Sequence, residues 1–118
     1  MEVILYHNPR CSKSRATLAL LRERGIEPEI VEYLKTPPTP ERLEAILAKL
    51  GLEDPRGLMR TKEKIYRELG LDDPGLDRET LIRAMAEHPI LIERPIVIVG
   101  DRAAIGRPPE KVLEILQS

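Results

Sequence analysis

The chain has 118 residues, which fits one domain large enough to bury its own core. A hydrophobic share of 42% beside a charged share of 33% excludes wholesale disorder. With 19 Lys and Arg against 20 Asp and Glu, the net charge of -1 excludes a nucleic-acid or membrane binder that draws its affinity from a basic excess. One cysteine excludes an internal disulfide, and with two His it leaves no metal-ligand cluster at recognisable spacing. No run approaches the ~18 apolar residues of a membrane span, and the N-terminus has no signal-peptide pattern. A cytoplasmic enzyme or adaptor is the expectation.

Residues 2–6 (EVILY) read as a short buried strand. Asn8-Pro9 breaks it, because proline lacks an N–H and forces its predecessor away from helical angles. From about Lys13 to Arg24, Thr17, Leu18, Leu20 and Leu21 give a helical apolar face that Gly25 closes. Residues 29–33 (EIVEY) predict a second strand, so the opening is a β-α-β unit with a parallel crossover.

The middle is helical. Thr39 is placed to cap a helix with Pro40 at its first position. Leu43, Ile46, Leu47 and Leu50 then form an amphipathic stripe ended by Gly51. Short helical pieces are predicted at 55–58 and 62–69, the latter with Ile65, Tyr66 and Leu69 on one side. Asp77 caps a helix carrying Leu81, Ile82 and Met85 to about His88.

The last third changes period. Residues 94–99 (RPIVIV) are a β-branched strand, Gly100-Asp101 a two-residue turn, and residues 102–105 its partner. Gly106-Arg107-Pro108-Pro109 opens a final helix with Val112, Leu113, Ile115 and Leu116 as its apolar positions. The whole reads as one α/β domain over 1–118: β-α-β, a helical insert at about 39–88, then β-β-α. That order matches a thioredoxin-like layered fold with a mixed four-stranded sheet and flanking helices.

Cys11 is the first residue able to do chemistry. It stands between a strand and a helix start, where unpaired N–H groups and the positive dipole end gather. Both favour the thiolate, which is the nucleophilic form. From Val3 to Arg22 there is no Asp or Glu, whereas Arg10, Lys13, Arg15 and Arg22 are present. Ser14 completes Cys-x-x-Ser, so any disulfide formed in turnover needs a second thiol from outside. Arg94-Pro95 belongs at a strand start, since Pro95 cannot donate to a ladder. Most bonds of this kind are trans, and residue statistics alone predict trans here.

The stretch His7-Asn8-Pro9, Cys11, Ser14-Arg15 and Thr17-Leu18 resembles the signature of the glutaredoxin-coupled arsenate reductase family. So do residues 88–92 (HPILI), 94–97 (RPIV), and Arg107-Pro108 followed by 112–116 (VLEIL). The resemblance implies a thioredoxin-like fold and a cis bond before Pro95. It implies a catalytic cysteine at Cys11, oxyanion-binding arginines at Arg60, Arg94 and Arg107, and a thiolate-tuning histidine at His7. Ser14, Arg15 and Pro95 are supporting residues. It further implies a monomer that binds no cofactor or metal and takes arsenate or a similar oxyanion, with glutathione and glutaredoxin as external reductants.

Ser12-Lys13 replaces the Gly-Thr of the better-known members and resembles a second branch of the family. Two alternatives share the fold: a glutathione-linked thiol–disulfide oxidoreductase, and an RNA polymerase-binding regulator of the Spx type. The latter commonly carries a Cys-x-x-Cys switch, which Ser14 removes.

Overall fold

The computed structural model describes residues 2–116. They divide into two compact units, one formed by the residues up to Thr36 with those from Arg94 onward, the other by Pro37–Glu93.

The first unit holds a mixed sheet. Strands β1 (Val3–Tyr6), β2 (Glu29–Val31), β3 (Ile96–Val99) and β4 (Arg102–Ile105) lie in the order β2-β1-β3-β4. β1 runs parallel to β2 and antiparallel to β3, which is antiparallel to β4. Helix α1 (Ser12–Glu23) joins the parallel pair, as a β-α-β unit requires. Val3 and Leu5 of β1, Leu21 of α1 and Val97 of β3 are buried in one cluster with Val112 and Ile115. Gly100 alone of the two turn residues has positive φ (61°), the II′ arrangement whose twist matches the flanking strands.

The second unit is helical. In α2 (Pro40–Leu50), the Thr39 side chain accepts from the Arg42 N–H, Pro40 opens the first turn, and Gly51 closes it at φ 73°. In α4 (Arg78–Glu87), Asp77 caps by accepting from the Thr80 N–H. Leu43, Ile46 and Leu47 of α2 and Leu81, Ile82 and Met85 of α4 are buried. A 3-10 turn (Pro55–Leu58), the short α3 (Lys64–Glu68) and a second 3-10 turn (Pro89–Leu91) complete the unit. An isolated bridge pairs Met59 with Ile92.

Three expectations need correction. β2 stops at Val31 rather than residue 33, because the Glu32 carbonyl accepts from the Lys35 and Thr36 N–H groups and turns the chain. Leu69 follows α3 and is exposed, whereas Tyr66 is buried. The last helix opens as a 3-10 turn (Pro109–Val112) before α5 (Leu113–Leu116). Two consecutive prolines remove the first donors there, and the Lys111 N–H closes back on Pro108 O at 3.0 Å. The bond before Pro95 is cis, as the family resemblance implies and residue statistics do not; Arg107-Pro108 is cis as well.

Candidate active site

Cys11 is the N-cap residue of α1, with extended backbone angles. Asn8 and Pro9 end β1 and turn the chain, and the Cys11 N–H bonds Asn8 O at 3.0 Å while Cys11 O receives the Arg15 N–H at 3.0 Å. The residue is 9% exposed. Burial pushes its thiol up in pKa. Against that act the backbone N–H groups of Ser14 and Lys13 and the guanidiniums of Arg94 and Arg107, and the net result lies below the ordinary thiol value. The sulfur makes no formal capping hydrogen bond, so we read the two amides as oriented dipoles at the helix start. The thiolate is thereby favoured at the one cysteine of the chain.

Behind the cysteine lies a buried polar cluster. Ser14, fully buried, has its Oγ 2.6 Å from His7 Nδ1 and accepts the Asn8 N–H at 3.1 Å. With the ring in its Nε2–H tautomer, the hydroxyl donates to Nδ1 and both groups are satisfied. Burial lowers the His7 pKa, the Arg22 and Arg15 charges add to this, and Glu32 opposes it. His7 is therefore neutral near pH 7 and bonds Ser14, the residue whose amide acts on the sulfur. Arg15 donates from Nη1 to Pro9 O at 2.9 Å and so ties down the loop before Cys11. Lys13 and Ser12 are exposed.

Arg94 and Arg107 are joined: Arg107 Nη1 donates to Arg94 O at 3.2 Å. Nε and Nη1 of Arg94 are buried. The Gly106 N–H bonds Pro95 O at 2.9 Å, tying the loop after β4 to the start of β3. Arg60 belongs to the helical unit. Its Nη1 lies 2.7 Å from a Glu63 carboxylate oxygen and its N–H bonds Leu91 O.

Sequence reasoning missed two neighbours of this cluster. Thr17, counted among the apolar positions of α1, is fully buried and donates from Oγ1 to Lys13 O at 2.9 Å. Gly106, taken as part of a helix opening, is buried against Thr17 and Pro95. A glycine between two structured elements with no turn to make was the available signal for the second.

These features define a thioredoxin-like protein with a single cysteine heading its first helix. The chain belongs to the ArsC family, whose model matches residues 6–115, and this is the family expected from the motifs. It is 56% identical over 115 residues to a Neisseria meningitidis protein named arsenate reductase, covering 98% of each chain. It is equally 56% identical over 115 residues to Escherichia coli uncharacterized protein YfgD, covering 98% of this chain and 97% of that one. Among solved structures, an arsenate reductase from Vibrio cholerae superposes with a TM-score of 0.96 at 55% identity, over 98% of each chain.

Proposed function

We propose that the chain reduces arsenate to arsenite, with Cys11 as nucleophile. One observation carries the reading: Cys11 heads a helix and the charges of Arg94 and Arg107 help hold its thiol pKa down, in a chain 56% identical to proteins named arsenate reductase. Arsenate is a tetrahedral oxyanion, and guanidinium forks hold such oxygens bidentately while neutralising their charge. In this reading Arg94 and Arg107 hold the anion, and Arg60 is the residue that matches the family's third oxyanion-binding arginine. Two negatively charged reactants must meet, so the cations act before any question of orientation arises. The thiolate forms an S–As bond and one arsenate oxygen leaves as water.

Arsenic must then accept two electrons. They come from two sulfurs that end joined as a disulfide, and this chain supplies at most one of them. Glutathione is the external thiol in the proposal, and glutaredoxin carries the electrons onward. A coupled assay with arsenate, glutathione and glutaredoxin, following NADPH, tests it; arsenate-dependent oxidation is expected and its absence overturns the reading. A second reading, a glutathione-linked thiol–disulfide oxidoreductase, draws on the same Cys11-x-x-Ser14 pattern. Turnover of glutathione mixed disulfides without turnover of arsenate would favour it.

A further inference from the structure

Glycines at 25, 51, 70 and 100 have positive φ, and at each a Cβ would meet nothing within 4 Å. Gly106 is the opposite case. Its φ lies outside the left-handed region, yet a Cβ there would stand 2.6 Å from Thr17 Oγ1 and 2.8 Å from Pro95 Cγ. Backbone conformation does not require glycine at this position; space does. Neither neighbour yields easily. Thr17 is fully buried, its Oγ1 is held on Lys13 O, and a β-branched side chain on a helix is stiff at χ1. Pro95 is a buried ring whose carbonyl receives the Gly106 N–H.

Three segments meet at this point, and each carries a charged or nucleophilic group of the site. Thr17 is on the helix that Cys11 caps, Pro95 follows Arg94, and Gly106 precedes Arg107. We propose that Gly106 is a positioning residue: its missing side chain lets the loop after β4 press against Thr17 and Pro95, and this contact sets how close the Arg94 and Arg107 guanidiniums stand to the Cys11 sulfur. A methyl group at 106 displaces the loop, since helix and ring hold their places. Arg107 then moves with it, and Arg94 follows through the Nη1 bond to its carbonyl. The proposal rests on the reading of Cys11 as a thiolate held under these two arginines, and it involves no step of arsenate chemistry.

The test is the pH dependence of iodoacetamide alkylation at Cys11, the one thiol present. Gly106→Ala is expected to raise the apparent thiol pKa by about half a unit as the cations retreat. Removing the nearest obstacle in Gly106→Ala/Thr17→Ala is expected to reverse part of that shift, the Pro95 contact remaining, while Thr17→Ala alone stays near the parent value. A folded Gly106→Ala protein with the parent pKa overturns the proposal, and so does a double variant that restores nothing. Should Gly106→Ala fail to fold, Thr17→Val supplies a gentler push, a methyl replacing the hydroxyl that faces Gly106. A raised pKa there supports the proposal and an unchanged one overturns it. A parent thiol at the free-cysteine value removes the thiolate reading itself. Loss of arsenate turnover in the coupled assay, with these shifts intact, removes only the proposed activity.

Discussion

His7 Nδ1 and Ser14 Oγ lie 2.6 Å apart, both buried, with the Asn8 N–H completing the cluster at 3.1 Å. This places the histidine's influence one residue away from the sulfur, on the serine whose amide helps hold the thiolate. Ser14→Ala leaves the Asn8 N–H and the His7 ring nitrogen without their shared partner. The expected cost is about 1–3 kcal/mol in urea unfolding, with Cys11 alkylation shifted to higher pH as the first turn of α1 loosens. An unchanged alkylation profile would mean that the cluster supports the fold alone.

Cys11 gives a pH dependence with a definite sign. Its folded-state pKa is depressed, so the native chain releases the thiol proton before the unfolded chain does. The resulting stabilisation is fully present above the free-thiol value of about 8.5 and is lost as pH falls through the lower folded value. Urea midpoints should therefore rise with pH across that window in the parent, and Cys11→Ser should lack the rise. The same variant should have no reductase activity while keeping its circular dichroism, because serine offers almost no alkoxide near neutrality.

Arg94→Lys and Arg107→Lys separate charge from shape. Lysine keeps the cation that favours the thiolate but loses the planar fork that grips two oxygens. Each variant is expected to alkylate at nearly the parent pH while its KM for arsenate rises about tenfold, the loss of roughly one charge-assisted hydrogen bond. An unchanged KM for arsenate would assign the arginines to thiolate stabilisation only.

Lys13 sits in the first turn of α1, exposed, where its charge opposes the helix dipole. An anionic substrate or a glutathione carboxylate would explain a cation at that position. Lys13→Thr is expected to raise KM for arsenate or glutathione severalfold at low salt, with the difference shrinking as screening grows. Identical constants at both ionic strengths would make the residue ordinary surface.

Much of this architecture was legible in the sequence, for identifiable physical reasons. Thr39-Pro40 and Asp77 announce helix starts through local capping chemistry, and both side chains do cap. The β-branched run before Gly100-Asp101 is a strand and hairpin by composition alone. What escaped depends on residues remote in sequence. Thr17 and Gly106 meet only once the sheet has formed, and the isomer at Arg107-Pro108 left no sign in the residues beside it. The site shows the same division. Cys11 stands out from its local charge pattern, whereas Arg94 and Arg107 look ordinary until strand pairing brings their segments together.

The strand order carries a further consequence, for the order of assembly. β1 is paired on one side with β2, reached through a single helix, and on the other with β3, where Tyr6 faces Ile96 and Val3 faces Val99. Most of the chain lies between those last partners, and closing so long a loop carries an entropic cost that local contacts do not. During synthesis the β1-α1-β2 segment can form early, but the centre of the sheet must wait for β3. Cys11 is thus made well before Arg94 and Arg107, so the thiol emerges without the two guanidiniums that lower its pKa in the folded chain.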